Sequence, residues 1–163
     1  MQGLVEQLRE YYPGANIWLV GHSLGGALAS LLGSTFGLPA VAFESPGERL
    51  ASTRLNLVLP PVQPVTHVYL NSDPIPQGTC TGFGSPCVAA GYALETRCHL
   101  GKSIVYDTVG KLGWNVDVRT HVIRTVITRV LDLENVQWEE GREVPQAKAE
   151  VDCTVSSFIG RLQ

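Results

Sequence analysis

Apolar positions change their period several times along this chain, and each change marks an element. Residues 3–12 place Leu4, Leu8, Tyr11 and Tyr12 on one face at helical spacing, which predicts a helix. Pro13-Gly14 ends it. Residues 17–20, Ile-Trp-Leu-Val, form an unbroken apolar run, the pattern of a strand buried on both faces. Residues 24–36 are rich in Gly and Ala and read as a helix closed by Gly37. Residues 40–43 and 65–70 are two more short apolar runs with strand character. Strands alternating with a helix predict a parallel sheet of the α/β class.

The remainder is less regular. Residues 71–97 are rich in Pro, Gly, Ser and Cys and predict a long surface excursion, of the kind that is functional or stapled. Residues 102–112 predict a short helix. The β-branched stretch 122–130 predicts a strand or a strand–helix junction. From residue 134 the chain turns polar, and residues 134–163 are expected to lie at the periphery. No internal repeat is evident, and 163 residues favour one domain spanning 1–163.

Composition narrows the classes. With 44% hydrophobic and 17% charged residues the chain can bury a core and is not of the disordered type. A net charge of -3 without a basic run argues against nucleic acid as partner. No apolar run reaches the roughly 18 residues of a membrane span, and residues 1–9 lack the apolar core of a signal peptide. Cys80, Cys87, Cys98 and Cys153 fit no common zinc spacing. His99 beside Cys98 does not make a metal motif, so neither metal nor cofactor is implied. A disulfide-bearing lumenal or secreted domain is the preferred reading of the four cysteines, four buried free thiols the alternative. Cys80–Cys87 is the closest pair, although four cysteines allow three pairings.

The chemistry lies in Gly21-His22-Ser23-Leu24-Gly25-Gly26. This is Gly-x-Ser-x-Gly after a predicted strand and before a predicted helix, the setting of a nucleophile elbow in an α/β-hydrolase core. A sharp strand-to-helix turn lifts Ser23 above the sheet edge. Gly21 and Gly25 are expected where a Cβ would strike neighbouring backbone. The helix N-terminus supplies partial positive charge for an oxyanion, with the Leu24 N–H as one donor. Ala27, Ala29 and Ser30 keep the helix slim enough to lie close on the sheet.

A serine nucleophile needs a base, and the base needs a carboxylate, in the chain order Ser, Asp or Glu, His. Of His67, His99 and His121, the last stands where the order requires a base; His67 reads as a strand residue. Asp73 follows the carboxyl end of the predicted 65–70 strand, where catalytic groups of parallel sheets collect. Asp107 and Asp117 are its rivals and read equally well as capping or solvated carboxylates.

At these residues the sequence resembles the class 3 lipases. The segment Gly-His-Ser-Leu-Gly-Gly-Ala-Leu-Ala-Ser carries the resemblance, as do the separations of 50 residues from Ser23 to Asp73 and 48 from Asp73 to His121. It is closer to the fungal autophagic-body branch through Phe43-Glu44-Ser45-Pro46-Gly47-Glu48-Arg49-Leu50, Asp73-Pro74-Ile75-Pro76, Cys98-His99-Leu100-Gly101-Lys102-Ser103, Tyr106-Asp107-Thr108-Val109, Gly113-Trp114 and Arg119-Thr120-His121. It covers residues 1–155. The resemblance implies a serine-dependent phospholipase or triacylglycerol lipase acting on vesicle membranes in the vacuole, with Ser23, Asp73 and His121 as triad. That family carries about half its hydrolase domain and a membrane anchor upstream of the elbow. The expectation is therefore a C-terminal portion of the fold, without the upstream strands, lid and second oxyanion donor. Its apolar first strand would leave an open edge prone to self-association. The rival readings are a catalytically silent interaction module that keeps this half of the fold, and an esterase for soluble esters.

Overall fold

A computed structural model describes residues 2–78 and 97–149. Its elements run α1 (Gln2–Tyr11), β1 (Leu19–His22), α2 (Leu24–Phe36), β2 (Ala40–Phe43), α3 (Arg49–Arg54), β3 (Val65–Leu70) and β4 (Lys102–Tyr106). Then follow α4 (Thr108–Leu112), a 3-10 turn (Val118–His121), α5 (Ile123–Val126), a π-helical turn (Ile127–Leu131) and β5 (Lys148–Ala149). The strands form one sheet in the order β1-β2-β3-β4-β5. The first four are parallel and β5 is antiparallel. This is an α/β fold, as the alternating pattern predicts.

Two layers cover the sheet. On one face α2 lies close because its inward residues are small. Gly26, Ala27, Ala29, Ser30, Gly33 and Ser34 are buried, and a Cβ on Gly33 would come within 2.7 Å of the Ala40 Cβ. On the other face Val68, Leu70 and Tyr106 pack with Val126, Val130 and Trp138. Strand alternation assigns the two sets: Val68 and Leu70 point to one face, His67 and Tyr69 to the other. All four are buried, so β3 is the central strand.

Several elements differ from the sequence expectation. The strand predicted at 17–20 begins at Leu19, and it is not buried on both sides. β1 lies at the sheet edge, with Trp18 61% and Val20 65% exposed. Leu4, Tyr11 and Tyr12 of the predicted helical face are exposed as well. Residues 102–112 are not one helix: the Lys102–Tyr106 stretch joins β3 as β4, and Asp107 caps the short α4 by accepting from the Gly110 N–H. Residues 122–130 form α5 and the π-helical turn rather than a strand, because Val126 and Val130 lie one helical turn apart on the core. The segment after residue 134 is not wholly peripheral. Trp138 is 4% exposed and packs edge-on against Tyr106 at 5.0 Å, and β5 extends the sheet.

No helix among the described residues is long and apolar enough to cross a membrane. Cys80, Cys87 and Cys153, and with them the Cys80–Cys87 expectation, lie outside the described residues. Cys98 is buried, and no thiol among the described residues is free.

Candidate active site

The parallel register places the carboxyl ends of β1, β2 and β3 side by side, and the candidate groups follow those ends. Ser23 comes directly after β1 and before α2, at φ 56 and ψ -129. A non-glycine residue in this region costs on the order of 1–3 kcal/mol, borne by its surroundings. Here the Ser23 N–H donates to the Phe43 carbonyl at 2.9 Å, and the Ser23 carbonyl accepts from Gly26 and Ala27. Gly21 is sterically required: a Cβ there would lie 2.2 Å from the Gly25 carbonyl oxygen. Gly25 departs from expectation, since a Cβ at that position would meet nothing within 4 Å. Gly26 is the tight second glycine: a Cβ there would lie 2.9 Å from the Ser45 Cβ and 3.3 Å from that of Ala42 in β2. Leu24 opens α2, so its N–H has no acceptor within the helix and faces the turn.

Asp73 lies in the turn after β3 and is completely buried. Its N–H donates to the Leu70 carbonyl, and its Oδ1 accepts from the Ile75 N–H at 3.0 Å. His121 ends the 3-10 turn. Asp117 opens that turn: its side chain accepts from the Arg119 N–H, and its own N–H donates to the Ser72 carbonyl. The loop carrying His121 is thereby tied to the loop carrying Asp73.

These loops bring the three groups together. His121 Nδ1 is 2.6 Å from Asp73 Oδ2, and His121 Nε2 is 2.8 Å from Ser23 Oγ. The ionised carboxylate can only accept, so the imidazole proton sits on Nδ1 and Nε2 accepts from the Ser23 hydroxyl. Such a relay can take the hydroxyl proton as the oxygen attacks an electrophile and return it to a leaving group. His121 remains slightly exposed and Asp73 does not, so the relay opens to solvent only on the serine side.

The rival residues lie elsewhere. Asp107 holds Asn71 Nδ2 at 2.5 Å and caps α4. The hydrogen bonds of Arg119 lower the pKa of Asp117 to about 2. His67 and His99 are buried on the α2 side of the sheet, with rings 4.5 Å apart. Their surroundings form a second polar cluster. His67 Nε2 lies 3.1 Å from Glu48 Oε1, and His67 Nδ1 bonds the Ser45 hydroxyl. Glu48 Oε1 also accepts from Ser30 Oγ and the Leu100 N–H, and His99 Nε2 bonds the Ser45 carbonyl. Burial pushes the Glu48 carboxyl up, but His67, by hydrogen bond and charge, His99 and Ser30 outweigh it and hold it below the ordinary range. Glu48, His67 and His99 are the group among the described residues whose donor atoms could hold a metal ion, lying within 4.8 Å of one another. Those atoms already bind one another and the surrounding backbone, as in a buried ion pair.

Two residues without an assigned role in the sequence belong to the site. His22, read only as part of the elbow, contacts the backbone of His121 at 2.8 Å. Glu44 follows β2 at φ 46 and is fully buried. Burial holds its carboxyl well above the usual range, Asp73 adds to this, and the Leu70 N–H opposes it. An acid just past an apolar strand end, level with Ser23 and Asp73, was the available signal.

Comparison with known proteins shows what the chain is similar to. The family described as lipase (class 3) matches residues 1–78. A protein of Mycosarcoma maydis, provisionally named lipase ATG15, is 52% identical over 147 residues, 84% of this chain and 28% of its own length. The protein of the same name from Saccharomyces cerevisiae strain YJM789 is 51% identical over 153 residues, 91% of this chain and 29% of its own. That of Pichia angusta is 55% identical over 129 residues, 76% of this chain and 24% of its own. The chain thus spans less than a third of the length of these relatives.

Proposed function

The chain belongs to the class 3 lipase family, and from that premise we propose that it hydrolyses the carboxylic esters of lipids through Ser23, His121 and Asp73. The observation that carries the reading is the continuous hydrogen-bonded line Asp73–His121–Ser23, drawn from residues up to 98 positions apart. Ser23 Oγ attacks the acyl carbonyl. His121 Nε2 takes its proton and delivers it to the departing alcohol, and a water molecule activated the same way releases the acyl group. Asp73 holds the imidazole in the tautomer this needs and stabilises its charged form. The Leu24 N–H is one oxyanion donor.

Phospholipid is the substrate class we favour, presented on vesicle membranes in the vacuole, on the resemblance to the autophagic-body branch; the names of the relatives support a lipase. The reading includes a disulfide that ties down the loop beyond Asp73, in keeping with a buried Cys98 whose thiol is not free.

A fluorophosphonate probe on the purified chain tests the proposal, because it needs an activated serine but no bound lipid. Covalent labelling is expected at Ser23 and abolished in Ser23→Ala, whose turnover falls by about 10⁶. An unlabelled Ser23 in folded protein would overturn the enzyme reading in favour of a silent interaction module.

A further inference from the structure

Ser23, Glu44 and Asp73 follow the ends of three adjacent parallel strands, so Glu44 stands between the serine and the acid of the relay. Its backbone is locked there. The Glu44 N–H donates to the Val68 carbonyl at 3.0 Å, and a φ of 46 is held by that strand pairing. Its carboxyl oxygens lie 3.1 and 3.3 Å from the Leu70 N–H, the Leu70 carbonyl in turn accepts the Asp73 N–H, and the neighbouring Asp73 carboxyl adds to burial in pushing Glu44 up. Neither carboxyl is exposed to water at all.

Two carboxyl groups bond each other directly only when one keeps its proton. The donors around the pair decide which. Asp73 accepts from the Ile75 N–H on Oδ1 and from His121 Nδ1 on Oδ2. Glu44 has the single Leu70 N–H spread over both oxygens. Negative charge is therefore better solvated on Asp73, and the proton belongs to Glu44.

We propose that Glu44 is a neutral carboxylic acid that donates a hydrogen bond to Asp73 and so holds in place the carboxylate that orients His121. Glu44 touches no substrate; it is a positioning residue, and its catalytic consequence rests on the relay proposed above. Asp73 then has donors from three directions, namely Ile75, His121 and Glu44. A carboxylate so enclosed cannot swing away when His121 becomes charged. Misplacing a reacting group by about 1 Å can cost on the order of 10² in rate.

Infrared and NMR spectroscopy of the full chain test the protonation without any need for turnover. Wild type at neutral pH should show a carboxylic-acid carbonyl stretch that disappears in Glu44→Gln, and a downfield His121 Nδ1–H resonance. Glutamine has the same shape, can donate to Asp73 through its amide and can accept from Leu70. Glu44→Gln should therefore keep the resonance and phosphonate labelling of Ser23 within about 3-fold, whereas Glu44→Ala should lose the resonance and slow labelling by about 10–10². Absence of the acid stretch, or a Glu44→Gln protein that loses the His121 resonance, would overturn the proposal, as would a folded Glu44→Ala protein that keeps the resonance. If wild-type Ser23 never labels, the lipase reading fails while the two spectra still decide the state of Glu44.

Discussion

His22 Nε2 stands 2.8 Å from the main-chain carbonyl oxygen of His121, a residue 99 positions away. A carbonyl accepts and never donates, so His22 carries its proton on Nε2 and donates it. The two rings also lie 4.9 Å apart, tilted by 40°. The elbow thus supplies two things: the hydroxyl of Ser23 and a clamp on the loop that brings His121 to it. His22→Ala should slow turnover by about 10–10² with KM little changed. His22→Gln, whose amide N–H reaches a similar distance, should restore most of the loss. Steady-state kinetics of both variants check this; equal damage in the two would show that the hydrogen bond is not what matters.

The glycines of the elbow should respond in opposite ways. Gly21→Ala drives a Cβ into the Gly25 carbonyl at 2.2 Å, backbone against backbone with nothing to give, so soluble folded protein is not expected. Gly25→Ala meets open space in the first turn of α2. Alanine is the better helix former by roughly 0.5–1 kcal/mol, so this variant should match or exceed wild type in urea denaturation. A strongly destabilised Gly25→Ala protein would contradict the structure.

Trp138 should prove a core residue despite its polar neighbourhood in sequence. It is buried against Tyr106 and belongs to the cluster beneath β3 and β4. Trp138→Ala should cost about 3–5 kcal/mol, through lost burial and the cavity left behind. A loss below about 1 kcal/mol in denaturant unfolding would return residues 134–149 to the periphery.

The Glu48–His67 pair predicts an acid-side loss of stability. Glu48 sits below its ordinary 4.5 in the folded chain. In the unfolded chain it binds protons more readily, so its contribution is present above that ordinary value and is lost as pH falls through the folded one. Glu48→Gln removes the buried carboxylate that His67 faces at 3.1 Å and should destabilise the chain near neutral pH, with a deficit that shrinks on the acid side. Urea midpoints measured across that window test the sign; a variant whose deficit grows as pH falls would refute it.

Self-association is expected through β1. The strand lies at the sheet edge with Trp18 and Val20 exposed, and Leu24 and Leu28 of α2 extend the apolar surface beside it. An apolar edge without charge invites pairing with another chain. Light scattering on the 163-residue chain should report oligomers, and Val20→Lys should shift them toward monomer. A monomeric wild-type chain at tens of micromolar would refute the prediction.

Local chemistry is enough to specify the elbow, α2 with its Gly37 stop, β2 and β3, because each depends on residues close in sequence: a strand period, a helix of small residues, a glycine where φ is positive. The order of Ser23, Asp73 and His121 is likewise legible, since parallel strands put the residues after them at a common edge. Tertiary structure decides the rest. Residues 102–106 alternate too weakly to announce a strand, and they become β4 because β3 offers an unpaired edge. The stretch 122–130 has the β-branched composition of a strand but coils, because Val126 and Val130 reach the core only at helical spacing. Glu44 and Glu48 are both acids of one short segment, yet one is driven up and the other down. What separates them is the partner each meets through the fold, a buried carboxyl for Glu44 and two histidines for Glu48, and no local pattern encodes that difference.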